Sequence, residues 1–188
     1  MVYLETERLL LRKVSREDYP YFREYIMDKE MDRLMLRSPS ETEEEVQKMF
    51  EWFLYKEKYA YAILQKESGD TIGNLTVYET PPSVVTEHPQ TKGKGGRALS
   101  FAIGRKWQRK GYMSEVLKAL IVKLFNEEKV DYINSGFLSI NEPSKCLHEK
   151  LGFGYLLQET FELDGVLYTG VETILHNHTE SGNTGMKA

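Results

Sequence analysis

ALSFAIGRKWQRKGYMSEVLKALIVKLF, residues 98–125, runs an apolar segment into a basic turn and then into an amphipathic stretch. ALSFAIG, closed by Gly104, predicts a strand. Met113, Val116, Leu117, Leu120, Ile121 and Leu124 recur at helical spacing and predict a helix over the following residues. Between them lies QRKGYMSE, residues 108–115. In a strand–turn–helix order the first-turn N–H groups have no intrahelical partner, and the dipole adds about half a positive charge there. A phosphate satisfies several such groups at once. Gly111 lacks a Cβ and lets the backbone approach a ligand, while Arg109 and Lys110 add charge beside it. A plain strand-to-helix turn with solvated cations has the same composition, so the turn alone leaves both readings open.

Outward from this segment, TERLLLRKV (6–14) alternates as a half-buried strand. SREDYPYFREYIMDKEM (15–31) is a helical run with Ser15 as cap and Asp18 three residues on, and residues 40–58 form a second with Thr42 or Ser40 as cap. The run EEE at 43–45 reads as a solvated face favoured by the dipole. YAYAILQK and TIGNLTVYE make a hairpin around ESGD. The 18 residues 80–97 hold three prolines and three glycines and form a long loop, a kind that is often functional. DYINSGFLSI (131–140) is a strand, NEPSKCLHEKLG a short helix ended by Gly152, and residues 153–175 a closing hairpin around Asp164-Gly165. The order βααβββαβαββ is a mixed α/β fold. We expect one domain over residues 1–176 and a polar tail over 177–188.

With 188 residues, 40% hydrophobic and 29% charged, the composition is that of an ordinary globular chain. The net charge of −4 gives no overall attraction to nucleic acid or an anionic membrane, so any anion site must be local. No window approaches the roughly 20 apolar residues of a membrane span. The single cysteine, Cys146, excludes an intrachain disulfide framework and a cysteine-rich metal site, and we expect a cytoplasmic protein. Inside its helix Cys146 reads as a small buried residue without an acyl-enzyme role. His176 and His178 have no converging carboxylate, so no metal site is expected.

The stretch INEPSKCLHEKLGF (140–153) adds the second signal. Asn141 and Ser144 lie three apart at a helix start, where either caps the helix or presents a polar group at a strand end. Taken together, QRKGYMSEVLKALI and N-x-x-S-x-x-L-H-E-K-L-G-F resemble the GNAT superfamily of acyl-CoA N-acyltransferases. The opening TERLLLR, with GYMSEVL and NEPSKCLHEKLGF, resembles its Rim-type branch, which acetylates N-terminal amines of ribosomal proteins and related amines. The likeness runs from about residue 4 to residue 175. It implies that the turn holds the pyrophosphate of coenzyme A: Gln108 takes the first place, Gly111 the central glycine and Met113 the final small residue, with the amides of Tyr112 and Ser114 beside it and Arg109 and Lys110 assisting. Met113 departs from the family's small residue, its side chain being expected to turn to the core while its N–H keeps the contact. Phe101, Ala102 and Ile103 correspond to the splayed strand that pairs with the pantetheine arm, and Asn141 and Ser144 to the polar pair that meets the cofactor.

The implied chemistry is attack of a neutral amine on the thioester of acetyl-CoA, with a base for the amine and an acid for the leaving thiolate. Family members place a glutamate near the start of the splayed strand and a tyrosine on the last helix. RALSFAIG holds no carboxylate, and the tyrosine position is His148, a candidate acid. Candidate bases are Glu79, Glu87 and His88, with Ser100 as a water holder. Trp52, Tyr55, Tyr59, Tyr61 and Tyr78 line an acceptor groove or fill the core. The expected function is acetyl transfer from acetyl-CoA to a primary amine, a protein N-terminus or a small molecule, with a homodimer as the default assembly. The alternative is a non-catalytic module that binds acyl-CoA.

Overall fold

The computed structural model describes residues 2–80, 88–163 and 165–177; Glu87, Asp164 and His178, considered above, lie outside them. Two short strands open the chain, β1 (Val2–Glu5) and β2 (Leu9–Lys13), joined by a turn in which Thr6 N donates to Leu9 O at 3.0 Å. The sequence pattern does not announce β1, because four residues give too little alternation to register. The predicted first helix is two, α1 (Tyr19–Ile26) and α2 (Lys29–Met35). Asp28 separates them: its carboxylate accepts from Glu30 N at 3.0 Å and Met31 N at 3.3 Å, starting a new helix. α3 (Glu43–Glu51) begins with the reciprocal Thr42–Glu45 box and runs on as a π turn over Trp52–Lys56.

The rest follows the expected order: β3 (Ala60–Gln65), β4 (Thr71–Glu79), β5 (Gly96–Ile103), α4 (Tyr112–Asn126), β6 (Tyr132–Leu138), α5 (Glu142–Lys150), β7 (Gly154–Leu163) and β8 (Val166–His176). The strands form one mixed sheet in the order β1-β2-β3-β4-β5-β6-β8-β7. Every neighbouring pair is antiparallel except β5 and β6. Helices cover both faces. Against α4 pack Leu9, Leu11, Ile63, Leu75 and Ile133, with Val116, Leu117, Leu120 and Leu124 from the helix itself. Against α1 and α3 pack Ala60, Ala62 and Ala102, with Phe22, Ile26, Val46 and Phe50. A third contribution is polar: Asp18, fully buried, accepts from Arg12 at 2.8 and 3.0 Å, from Ser15 N at 2.7 Å and from Thr71, tying α1 to β2 and β4.

β5 and β6 hold together over three rungs, Gly96–Tyr132, Arg97–Ile133 and Ala98–Asn134, and then part. Gly96 allows the first rung, since a Cβ there would lie 2.2 Å from the Tyr132 ring. Beyond Ala98, β5 continues to pair with β4 through Ile103, and β6 with β8 through Leu138. The sheet is therefore forked, with the facing edges of residues 100–103 and 136–138 unpaired to each other. Cys146 corrects an expectation: it is exposed. His148, two positions and about 200° around α5, takes the inward place instead. No helix among the described residues is long and apolar enough to cross a membrane.

Candidate active site

The chain leaves the fork through a 3-10 turn, Arg105–Trp107, and enters the basic turn. Gln108 folds back, donating from Nε2 to Ile103 O at 3.2 Å, which closes the end of β5. Arg109 and Gly111 both take left-handed backbone, at φ 59° and 80°. The Gly111 conformation is the one a glycine adopts without strain, and it turns the chain directly into α4. The first helical bond is Glu115 N to Gly111 O at 3.0 Å, and no side chain caps the start. The N–H groups of Tyr112, Met113 and Ser114 thus lack intrahelical partners and are aimed out of the helix. Met113 itself is buried in the α4 core, so its size does not crowd the turn.

Arg8, which in sequence is only one member of the TERLLLR strand pattern, completes this corner. It donates to Lys110 O at 3.2 Å, lies 4.6 Å over the Tyr112 ring and comes within 3.5 Å of where a Gly111 Cβ would sit. Glu115 holds it through Nε at 2.6 Å and N at 2.9 Å, and also accepts from Thr6 at 2.6 Å. Burial pushes the Glu115 carboxyl up, but these hydrogen bonds outweigh it and the net shift is downward. Three cations, Arg8, Arg109 and Lys110, therefore belong to one turn with unpartnered amides. Arg105 links this corner to α2, donating to the Asp28 carboxylate at 3.0 and 2.6 Å. A cavity of about 520 Å³ opens beside that link, between Tyr21, Tyr25 and Met31 on the helices and Ile103, Gly104 and Trp107 below.

α5 places His148 at the fork. Asn141 acts as its N-cap, accepting from Ser144 N at 3.2 Å, so the capping role considered for this residue is the one its side chain performs. His148 is 2% exposed, with ring centroids 5.6 Å from Phe101 on β5, 5.0 Å from Phe137 on β6 and 5.3 Å from Phe153. It bridges the two arms. Its Nδ1 lies 2.7 Å from Ser144 O, and because a carbonyl only accepts, Nδ1 carries the hydrogen. Burial lowers the pKa of the ring below its usual value, against the raising effect of the Ser144 bond, so it is neutral at pH 7. Nε2 is then a bare lone pair, and it has no partner among the described residues. In this state the ring accepts a proton; it acts as an acid only after receiving one.

The remaining candidates divide by sheet face. Ala98, Ser100 and Ala102 alternate toward α1 and α3, as do their β4 partners Tyr78, Thr76 and Asn74. Ser100 thus faces the fork from the side opposite His148. Glu79 pairs with Arg97 at the closed end of the fork and is exposed, so it does not join them. His88 lies in the loop before β5, where its carbonyl accepts from Thr91 and Lys92. Among the aromatics, Tyr61 is buried and stacks on Tyr3 at 4.5 Å, whereas Trp52 and Tyr55 are 43% and 58% exposed.

Sequence reasoning missed a carboxylate at the fork. Glu172 on β8 is half-buried and pairs in register with Gly136, the first β6 residue beyond the last shared rung on the Ser100 face. A glycine inside a central strand marks close approach of another group, and that was the available signal.

Comparison with known proteins agrees with this geometry. Residues 8–154 match the family described as Acetyltransferase (GNAT) domain. An uncharacterized N-acetyltransferase p20 of Bacillus licheniformis is 27% identical over 158 residues, 81% of this chain and 83% of that one. Spermidine N-acetyltransferase from Vibrio cholerae, solved with CoA and spermine, superposes with a TM-score of 0.71 at 13% identity over 92% of this chain and 97% of its own. The ribosomal-protein-S5-alanine acetyltransferase of Vibrio fischeri gives 0.64 at 15% identity over 94% and 97%. At such identities the two structures share the fold alone. The chain belongs to the GNAT acetyltransferase domain family and is an N-acetyltransferase.

Proposed function

We propose that the protein transfers an acetyl group from acetyl-CoA to the α-amine of a protein N-terminus, by direct attack on the thioester. The observation that carries the reading is the fork between β5 and β6, open from residue 100 onward and ending at a turn of unpartnered amides. The pyrophosphate belongs at the N–H groups of Tyr112, Met113 and Ser114, with Arg8, Arg109 and Lys110 around it, and the pantetheine arm along the free edge of Phe101 to Ile103. Positioning supplies much of the rate, because bringing amine and thioester together removes the entropy of a bimolecular encounter. The free backbone N–H groups of that arm stabilise the oxyanion. His148 takes a proton at Nε2 and returns it to the departing thiolate. The N-terminal acceptor rests on the likeness of TERLLLR, GYMSEVL and NEPSKCLHEKLGF to Rim-type enzymes; family membership favours catalysis over a binding module.

The test is incubation of the purified protein with acetyl-CoA and a panel of N-terminal peptides, polyamines and aminoglycosides, following free thiol. Amine-dependent thiol release, fastest with peptides, is expected. Release with polyamines alone would reject the peptide acceptor, and tight cofactor binding without release across the panel would reject the enzyme reading.

A further inference from the structure

We infer that Glu172 is the catalytic base that takes the proton from the acceptor ammonium. The inference rests on the acetyl-transfer reading above and adds a residue that the sequence pattern does not offer. RALSFAIG holds no carboxylate, and an acceptor that arrives as an ammonium must give up a proton before it can attack.

Three observations place Glu172 there. First, register: Ala98–Asn134 is the last rung joining β5 to β6, and Gly136, two residues on, shares the face of Asn134. Glu172 lies directly across from Gly136, so its side chain stands on the face toward α1 and α3, where Ser100 also stands on the other arm. Second, space: a Cβ on Gly136 would sit 2.4 Å from Glu172 Oε1 and 2.9 Å from Cδ, so the carboxylate lies over the Gly136 backbone in a notch that any other residue would fill. Third, support: Asn134 Nδ2 donates to Oε2 at 3.4 Å, and Thr80 donates to Asn134 Oδ1 at 3.3 Å. These contacts engage Oε2; no side chain among the described residues donates to Oε1. The carboxylate carries no salt bridge among the described residues, unlike Asp18, Asp28, Asp32 and Glu115. Burial raises its pKa, with Glu159 on β7 adding to this and Asn134 opposing it, which suits a base better than an ordinary surface glutamate.

The acceptor ammonium gives one proton to Glu172 Oε1, and the freed lone pair forms the C–N bond as the carbonyl π pair moves to oxygen. The nitrogen loses its second excess proton on the His148 side of the sheet, the oxyanion pair returns to re-form the carbonyl as the C–S pair leaves on sulfur, and the thiolate takes that proton. Glu172 then releases its own to solvent, so amide, thiol and one proton are the products.

The test uses the full chain and the amine that the wild type acetylates fastest. Glu172→Gln should lower kcat/KM for an α-amine by about tenfold at pH 7, where about a tenth of that amine is already neutral, with acetyl-CoA affinity by calorimetry within twofold of wild type. Glu172→Ala should be partly restored by added formate, which fits the notch, while Glu172→Gln should not. Should Glu172→Gln fail to fold, Glu172→Asp, which keeps the charge but withdraws it by one methylene, should lose about fivefold in kcat/KM for an α-amine at pH 7 with cofactor affinity unchanged. A folded Glu172→Gln variant within threefold of wild type, or no formate effect on a crippled Glu172→Ala, would overturn the assignment while leaving the acetyl-transfer reading intact. A wild type inactive on every amine would overturn both.

Discussion

Replacing His148 with phenylalanine should make the protein more stable and nearly inactive, a pairing that follows from the two ring nitrogens. Nδ1 donates to Ser144 O at 2.7 Å, a bond whose net contribution is about 0.5–1.5 kcal/mol. Nε2 is buried with no partner among the described residues, which costs about 1–3 kcal/mol. Phenylalanine loses the first and removes the second, and it keeps the ring contacts with Phe101, Phe137 and Phe153. The Ser144 carbonyl is not orphaned, since the helix supplies the N–H of residue 148. The balance is a gain of about 1 kcal/mol, which for a chain of this size raises Tm by about 2–4 °C. Urea titration should show a higher midpoint at unchanged slope, while amine-dependent thiol release falls by about 10²-fold. The lowered histidine pKa fixes the pH dependence. The unfolded chain takes up this proton below about pH 6.5 and the folded chain only at lower pH, so wild type loses stability as pH falls through that window and the variant does not. A loss of 2 kcal/mol or more on substitution would show that Nε2 is satisfied in the folded protein and that His148 is an ordinary core residue.

Asp18→Ala removes a fully buried acceptor from Arg12, Ser15 and Thr71, and should cost about 3–5 kcal/mol in chemical denaturation. Charge reversal at Arg109 and Lys110 should weaken coenzyme A binding in calorimetry and leave the remainder less dependent on salt; unchanged affinity would count against the turn as the pyrophosphate site. Glu172→Gln should stabilise the protein at neutral pH. The raised carboxyl pKa means that wild-type stability falls as pH rises from the ordinary glutamate value through the raised one, and the amide removes that loss. Equal denaturation midpoints for variant and wild type from pH 4 to pH 8 would contradict it.

What could be read from the sequence was whatever one segment specifies by itself. The α4 stripe, the Gly111 turn and the Thr42 cap are local patterns, and each appears where its spacing put it. Asp28 shows where local reading fails: its cap splits a run whose apolar spacing continues through Met31, and its second partner, Arg105, is 77 residues away. The site depends on such distant pairings. Arg8 meets the turn across the β1–β2 corner, and Glu172 meets Gly136 through strand register that no spacing reveals. His148 was found as a position, but its protonation state depends on a carbonyl one helical turn back and three phenyl rings from β5, β6 and the α5–β7 junction.

The two faces of the fork make a prediction that separates the roles of Glu172 and His148. An ammonium must lose two protons to become an amide. The first loss precedes attack and is needed only while the amine is protonated; the second accompanies bond formation and is needed at every pH. An α-amine has a pKa near 7.7–8.0, so about a tenth of it is neutral at pH 7 and nearly all at pH 9. If Glu172 serves the first loss, the deficit of Glu172→Gln should shrink by about tenfold between pH 7 and pH 9, whereas the deficit of His148→Phe should persist. With an alkylamine of pKa near 10.4 the Glu172→Gln deficit should shrink further, by about a hundredfold over the same range, because well below its pKa the neutral fraction of the amine rises about tenfold per pH unit. Parallel pH profiles for the two variants on an α-amine would place both groups on the same proton and remove the division of labour between the faces.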